Sequence, residues 1–242
     1  EDALRREAAL LAVLRPRLTI TVPDLSIVEG PPLFSMHVKL PGAHLLTPDY
    51  ARLDGSARDD LAMQMARFHA EMHALSAVSI AAVGAAPVEP WATAAEMRER
   101  GLPGLPPHLR DIAAQMIADN EALPPDPLGT VFGYFDGHGW NMAFNHDRGQ
   151  LNGIYDFADA GIGGLHEEFA YASFIDPDLA ARIIGHYERL TGLAIDRNRV
   201  AILTSMVHLS DLAEYPDEPE MLAKVVDYAV PWFEDVAAKR KR

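Results

Sequence analysis

The segment between residues 131 and 160 contains residue types that can hold a metal ion and orient a reacting hydroxyl group. Asp136 follows a short apolar run, Asn141 comes five positions later, and Asp156 ends a second apolar run. Carboxylate and carboxamide oxygens are hard ligands that suit Mg²⁺, which keeps several waters and is usually shared with substrate phosphates. Phosphoryl transfer needs one acid to orient the nucleophile and further oxygen ligands to hold the metal. The pattern therefore predicts a phosphoryl-transfer site.

Short strands are predicted to position these three polar groups. The predicted strands are Val131–Tyr134, Met142–Phe144 and Leu151–Tyr155. The last two are separated by Asn145–Gly149, which is rich in turn residues and indicates a hairpin. We expect the three polar groups to converge at one edge of this hairpin. The glycine-rich segment that follows, Ala160–Gly164, predicts a flexible connection.

Two motifs in this segment resemble those of a known family. Residues 134–141 read Tyr-Phe-Asp-Gly-His-Gly-Trp-Asn, and residues 155–160 read Tyr-Asp-Phe-Ala-Asp-Ala. They resemble the H-G-D-x-H-x-x-N loop and the I-D-F-x-D-A metal motif of the aminoglycoside phosphotransferase family, which shares the protein-kinase-like fold. Both patterns occur in the family's order and at the family's separation. Tyr134 stands where the family usually has a histidine that positions the loop.

The resemblance implies a role for each matching residue. Asp136 would be the catalytic base, with His138 beside it as the second histidine of the loop, and Asn141 and Asp156 would hold Mg²⁺. The implied cofactors are Mg²⁺ and ATP, and GTP stays open. The implied fold class is α+β, a two-lobed protein-kinase-like fold. Residues 1–42 would form a partial N-terminal lobe, and residues 43–242 a mainly helical C-terminal lobe.

Residues 1–42 are expected to supply part of the nucleotide site. A helix is predicted over residues 3–15, and Glu7 lies on its apolar face. In the family a glutamate of this helix pairs with a lysine on the preceding strand, while the alternative is an exposed glutamate on a helix flank. The hinge candidates, which would meet the purine ring, are Met36, His37, Val38 and Lys39. Because no lysine precedes Lys39, the family's glycine-rich hairpin and lysine strand do not occur in this sequence, and we expect the native protein to begin earlier.

The clearest helix is predicted over Ser56–Leu75, which starts with a Ser-x-x-Asp pattern and continues with one apolar stripe. His69 and His73 lie on one face of it, but no third ligand occurs at a useful spacing for a metal hydrolase. We expect His73 to bond to nearby backbone. Glu168 occupies the place of the family's loop-anchoring aspartate. Further predictions are strands at Leu18–Val22 and Leu33–Lys39, and helices at Ala92–Arg100, Ala180–Leu190, Arg197–Leu209 and Met221–Val236.

Composition narrows the classes of partner. The 242 residues contain no cysteine, which rules out a disulfide framework and fits a reducing cytosol, so a cytoplasmic protein is expected. The net charge of −14 argues against nucleic acid as a partner, because phosphates would be repelled. No membrane is expected either, since no signal-peptide pattern opens the sequence and the longest uncharged run is too short to span a bilayer.

The acceptor is predicted from acidic residues. Asp211, Glu214 and Asp217 lie in an acidic stretch between two predicted C-terminal helices. In the family, late helices and loops line the acceptor pocket, and acidic groups there hold ammonium groups. With Asp159 of the second motif, these residues predict a small, hydroxylated and cationic acceptor. The alternative for the stretch is a solvated acidic loop.

Two other functions stay open. The missing strands and the replaced histidine at position 134 are compatible with a catalytically silent nucleotide-binding or interaction protein of the same fold. The chain is also compatible with a kinase of another acceptor, such as choline, an amino acid or a sugar, because a fold does not fix the substrate.

Overall fold

A computed structural model describes residues 2–76 and 80–240 of the chain. These residues divide into two compact units. Unit 1 comprises Glu1–Val88 and Leu128–Ile195, and unit 2 comprises Glu89–Pro127 and Asp196–Arg242. The boundary at residue 42 stays a prediction. Within the described ranges, no helix combines the length and the apolar character needed to cross a bilayer.

Helices account for most of the regular structure. They are α1 (Asp2–Leu14), α2 (Thr47–Arg52), α3 (Gly55–His73), α4 (Ala94–Glu96), α5 (Leu102–Gly104), α6 (Pro107–Glu121), α7 (Pro177–Thr191), α8 (Arg197–Glu214) and α9 (Pro219–Arg240). The strands are β1 (Ser26–Val28), β2 (Phe34–Met36), β3 (Thr130–Gly133), β4 (Met142–Asn145), β5 (Gln150–Ile154) and β6 (Gly161–Gly164). The combination of helices with a few short strands is the α+β class expected from the sequence.

The strands pair as three antiparallel ribbons, β1 with β2, β3 with β6, and β4 with β5. The predicted β4–β5 hairpin is confirmed, with Met142 opposite Ile154. The flexible connection predicted at Ala160–Gly164 is wrong, because this segment forms β6 along β3. Its glycines are required by close packing, since a Cβ at Gly163 would lie 2.7 Å from the ring of Phe135. Close packing, and not mobility of the segment, therefore explains the glycines of β6.

The region after α1 differs from the sequence-based expectation. The strand predicted at Leu18–Val22 is wrong, and the partner of β2 is β1 instead. The backbone N–H of Thr19 donates to the side chain of Glu71 at 2.8 Å. The N–H of Ile154 reaches Thr21 O at 3.0 Å. The segment is thus held by one side chain and single backbone bonds rather than by a ladder.

Helix α3 forms much of the core of unit 1. It begins at Gly55, and its N-cap is Asp54, which accepts a 2.8 Å hydrogen bond from the N–H of Ala57. The Ser-x-x-Asp start predicted at Ser56 is therefore wrong by two residues. The apolar stripe is confirmed, with Leu61, Ala62, Met65, Ala66, Phe68 and Met72 buried. This face packs against α7. Full burial of a large apolar side chain contributes about 1.5–3 kcal/mol.

Unit 2 is built from α4–α6, α8 and α9 around a single apolar core. The helices predicted at Arg197–Leu209 and Met221–Val236 are confirmed and extend further than expected. The helix predicted at Ala92–Arg100 occurs as α4 followed by a π-helical turn, Met97–Gly101. The turn ends at a glycine because a Cβ there would lie 2.7 Å from the carbonyl oxygen of Leu209.

Candidate active site

The loop between β3 and β4 begins with an unusual backbone conformation. Phe135 has φ = +53°, in the left-handed region that bulky residues rarely adopt. Such a conformation costs roughly 1–2 kcal/mol and must be held by its surroundings. The turn directs the chain from the buried end of β3 to Asp136, whose side chain keeps 15% of its surface exposed. The strained residue thus stands directly before the predicted base.

Asp136 is held by two side chains of its own loop. The Nδ2 amide of Asn141 donates to Asp136 Oδ2 at 2.6 Å. His138 Nε2 lies 2.7 Å from the other carboxylate oxygen, Oδ1. The N–H of His138 also donates to the carbonyl of Asp136 at 2.9 Å. The three residues that the sequence grouped in this loop therefore meet around one carboxylate with a fixed orientation.

Glu168 anchors the start of the loop from below. Its two carboxylate oxygens accept hydrogen bonds from the backbone N–H groups of Tyr134, at 2.9 Å, and Phe135, at 3.0 Å. His73 Nε2 lies 3.2 Å from Glu168 Oε2. His69 Nδ1 lies 3.3 Å from Oε1, close enough for charge attraction although its angle is outside hydrogen-bond geometry. Two consecutive N–H groups bound to one buried carboxylate stabilise the left-handed turn.

The charge of Glu168 is stabilised despite complete burial. Burial raises the pKa of the Glu168 carboxyl group, but the attraction of the nearby His69 and the hydrogen bond of His73 outweigh this effect, so that the pKa lies well below its usual range. His73 Nδ1 in turn lies 2.7 Å from the hydroxyl of Tyr187 on α7. The expectation that His73 bonds to backbone is wrong, because its partners are a carboxylate and a phenol. These histidines support the loop.

A glycine makes room for this anchor. A Cβ at Gly133, the last residue of β3, would overlap Oε2 of Glu168 and lie 2.7 Å from the ring of Phe135. Neither group can withdraw, since the carboxylate is bonded on both oxygens and the ring is buried. A side chain at this position would therefore have to displace the anchor or the ring.

Asp156 follows β5 and is itself left-handed, with φ = +62°. Its side chain is exposed, and the N–H of the next residue, Phe157, donates to Glu7 Oε1 at 3.2 Å. The guanidinium of Arg6 donates to the carbonyl of Ala158 at 3.1 Å. The first turns of α1 thus hold the backbone of the two residues that follow Asp156, and Glu7 acts on the main chain there.

The donor set fits a metal ion that is shared with a substrate. Asn141 uses its amide nitrogen on Asp136, so its carbonyl oxygen is the atom that can serve as a ligand. Among the described residues, the carboxylate of Asp156 accepts only a long hydrogen bond of 3.5 Å, from the N–H of Ala158. Across the described ranges, no group of three or more His, Cys, Asp or Glu could enclose a metal ion. Mg²⁺ bound to phosphates commonly takes one or two protein oxygens and fills its other coordination positions with water and phosphate oxygens. A structural zinc site instead has four protein ligands and no open position.

The other predicted residues lie at and after the end of β2, in the turn after Asp156, and around the C-terminal end of α8. Met36 and Val38, at the end of β2 and beyond it, are 58% and 87% exposed. His37 and Lys39 are exposed as well. Asp159 lies in the turn after Asp156. In unit 2, Asp211 and Glu214 belong to the last turns of α8 rather than to the loop, and Asp217 is exposed between α8 and α9.

The sequence profile of the phosphotransferase enzyme family matches residues 1–203. The chain belongs to this family. It is therefore a phosphotransferase, and the resemblance drawn from the two loop motifs is confirmed. No curated protein sequence matches the chain.

Solved structures of phosphotransferases share the fold. A mutant aminoglycoside 2'-phosphotransferase-IIIa in complex with GDP has a TM-score of 0.79 at 20% identity, covering 98% of this chain and 82% of that one. The GDP and kanamycin complex of APH(2")-IIIa has a TM-score of 0.74 at 19% identity, covering 98% and 83%. The macrolide 2'-phosphotransferase MphH from Brachybacterium faecium, as apoenzyme, has a TM-score of 0.63 at 19% identity, covering 95% and 80%. The kinase-like two-lobed fold predicted from the sequence is confirmed.

Proposed function

We propose that the protein transfers the γ-phosphate of a nucleoside triphosphate to a hydroxyl group of a small molecule. The observation that carries this proposal is the carboxylate of Asp136, held between Asn141 and His138 behind a left-handed turn. Each carboxylate oxygen has two lone pairs, so Asp136 can still accept a hydrogen bond from an acceptor hydroxyl. Asp136 orients that hydroxyl and takes its proton as the oxygen attacks phosphorus.

Asn141 and Asp156 would hold the magnesium ion. When bound, Mg²⁺ neutralises charge on the phosphate oxygens and thereby favours transfer. The hydrogen bond from Asn141 to Asp136 orients ligand and base together, so that both act on one phosphate. Asp156 follows β5 in a left-handed backbone conformation, and its side chain is exposed. The protein's contribution is then positioning and charge neutralisation, which is most of what phosphoryl transfer needs.

The nucleotide is proposed to lie near Glu7 and the hinge residues 36–39. Glu7 holds the amide of Phe157 and so fixes the backbone next to Asp156. Met36 and Val38 offer exposed apolar surface of the kind that a purine ring covers. ATP is the proposed donor, and GTP deserves the same assay because two of the similar structures hold GDP.

The proposed acceptor is a small hydroxylated molecule with amino groups. The chain carries a net charge of −14, and Glu214 and Asp217 are exposed carboxylates in one short stretch. Acidic surface attracts a polycationic acceptor and speeds its encounter. One similar structure contains kanamycin, whereas another is a macrolide phosphotransferase, so the fold alone does not choose between these acceptors.

A transfer assay tests the reaction. The full chain is incubated with Mg²⁺, ATP or GTP, and a panel of amine-bearing sugars, neutral sugars and macrolides, and phosphorylated acceptor is measured by mass spectrometry. We expect transfer to an amine-bearing sugar, with affinity that falls as salt rises. Nucleotide binding without transfer to any acceptor would favour the catalytically silent alternative.

A charge-reversal pair tests the acidic stretch. Glu214→Lys combined with Asp217→Lys should weaken binding of amine-bearing acceptors and leave nucleotide affinity unchanged. The matched control, Asp60→Lys with Asp147→Lys, reverses two exposed acids of unit 1 and alters the net charge equally. Equal effects of the two pairs would mean that only overall charge matters, and the acceptor site would then lie elsewhere.

A further inference from the structure

Hydrogen bonds of two tyrosines form a noncovalent cross-link between the loop that carries Asp136 and the segment that carries Asp156. The hydroxyl of Tyr134 donates to the carbonyl of Tyr155 at 2.5 Å. The hydroxyl of Tyr155 donates back to the carbonyl of Trp140 at 2.6 Å. The N–H of Tyr155 also donates to the carbonyl of Asn141 at 3.0 Å. The residue directly before Asp156 is therefore bonded at three points to the loop that carries the proposed base.

The ring of Tyr134 cannot move away from this position. The side chain is completely buried, and its ring packs against Phe157 with centroids 4.9 Å apart and against Phe68 with centroids 5.5 Å apart. Burial raises the pKa of Tyr134 well above its usual range, and the charges of Asp136 and Asp156 raise it further. The phenol therefore keeps its proton and stays a donor at every pH at which a phosphotransferase would be assayed.

We infer that Tyr134 and Tyr155 are positioning residues that hold Asp156 in register with Asp136. The inference rests on the proposed function, since it assigns Asp156 to the metal. Both residues that flank the cross-link, Phe135 and Asp156, have left-handed backbones, and neither conformation is favoured without external restraint. Reciprocal hydroxyl-to-carbonyl bonds restrain both segments at once. A change at either tyrosine should therefore affect the metal ligand and the base together.

The competing explanation is that Tyr134 only fills the core and that its hydroxyl is incidental. Tyr50 on α2 provides the matched control. It is also completely buried, and its hydroxyl donates to Asp178 Oδ2 at 2.7 Å, within unit 1 and outside both motifs. Tyr50→Phe and Tyr134→Phe each remove one buried hydroxyl and one hydrogen bond, so a general effect on stability would appear in both.

Turnover and Mg²⁺ dependence decide between the two explanations. Tyr134→Phe leaves the Tyr155 carbonyl without its donor, and we expect kcat to fall about tenfold with a higher Mg²⁺ concentration for half-maximal rate. Tyr155→Phe should act in the same direction. The KM for the acceptor should stay within about twofold in each case, and Tyr50→Phe should leave both kcat and the Mg²⁺ dependence unchanged. A Tyr134→Phe enzyme with wild-type kcat and Mg²⁺ dependence, or a Tyr50→Phe enzyme with the same losses, would overturn the inference.

Hydrogen exchange tests the cross-link independently of any transfer activity. Tyr134→Phe should speed amide exchange in peptides covering residues 134–157, relative to peptides from α8 and α9 in the same sample. Tyr50→Phe should leave the 134–157 peptides at the wild-type rate. Unchanged exchange there in Tyr134→Phe would overturn the inference. If the wild-type chain transfers phosphate to no acceptor, the proposed function fails, while this comparison still decides whether the tyrosines hold the two segments.

Discussion

The side-chain amide of Asn141 donates a 2.6 Å hydrogen bond to the carboxylate of Asp136. The proposed metal ligand and the proposed base are thus hydrogen-bonded to each other, and the orientation of one depends on the other. This relationship makes the exchange of a carboxylate for an amide at position 136 informative, because the hydrogen bond can persist while the basic group is lost.

Asp136→Asn should lower kcat by about 10²–10⁴-fold, the usual contribution of a positioned general base. The asparagine oxygen can still accept from Asn141, so the melting temperature and the nucleotide Kd should stay close to wild type. Turnover, calorimetric melting and nucleotide titration measure the three quantities. Asp147→Asn, on the exposed hairpin turn, is the control and should have no effect. A loss smaller than tenfold would remove Asp136 from the role of base.

Asp156→Gly separates the carboxylate from the backbone. Glycine accepts φ = +62° without strain, so the variant should fold at least as stably as wild type while losing the proposed metal ligand. Asp156→Ala lacks the same carboxylate but keeps the backbone strain, so it should melt at a lower temperature than Asp156→Gly. Both should lose Mg²⁺-dependent nucleotide affinity together with activity. Nucleotide titrations with and without Mg²⁺ check this, and a wild-type Mg²⁺ dependence in either variant would exclude the metal assignment.

Glu168→Gln should destabilise unit 1 and change its response to acid. Its pKa is lowered on folding, so the native carboxylate contributes stability that is present above its ordinary value of 4.5 and is lost as the pH falls below that value. The glutamine variant should be less stable by about 1–3 kcal/mol at pH 7, because one loop N–H then faces an amide donor. The difference from wild type should shrink in acid. Urea unfolding at pH 7 and pH 4 measures both effects.

Glu121→Gln is the control for that experiment. Glu121 forms an exposed ion pair with Arg98 on the surface of unit 2, and such pairs contribute little. Equal destabilisation by the two substitutions would mean that the burial of Glu168 and its hydrogen bonds to the loop add no more stability than an exposed ion pair does.

Gly133→Ala should lower both stability and kcat, since a methyl group would overlap Glu168 Oε2 and press on the ring of Phe135. Overpacking of this kind costs typically 1–3 kcal/mol. Gly55→Ala is the matched substitution, because nothing lies within 4 Å of a Cβ at that helix start. It should leave activity unchanged. Thermal melting and turnover of both variants provide the comparison, and a fully active Gly133→Ala enzyme would contradict the packing around Glu168.

The sequence was most informative where chemistry demands particular residues at fixed spacing. Asp136, Asn141 and Asp156 could be grouped because each follows or interrupts a short apolar run, and the β4–β5 hairpin between them has a strong turn signal. Helix α3 was predictable because its apolar residues recur at helical spacing in one continuous stripe. These features depend on residues that are close in the sequence, so they can be predicted from it.

Features that depend on distant residues could not be read. Leu18–Val22 has strand composition, yet its partners are the side chain of Glu71 and one backbone bond from Ile154, and neither leaves a local signal. The glycines of β6 suggested mobility because the groups that leave no room for a side chain, the ring of Phe135 at Gly163 and the carbonyl of Ala86 at Gly161, lie in other segments. The left-handed turn at Phe135 is likewise fixed by Glu168, more than thirty positions away.

Because a protein is synthesised from its N-terminus, the groups that hold the loop of Asp136 are made after the loop itself. Residues 134–141 leave the ribosome before Glu168, which lies 34 positions after Tyr134, and well before Tyr187, which lies 114 positions after its partner His73. Until those groups have emerged, nothing compensates the cost of a left-handed Phe135, so the nascent loop has the complete motif without a working geometry. Closing such distant contacts also slows folding. We therefore expect the loop to reach its folded geometry only after α7 has been made and packs against α3.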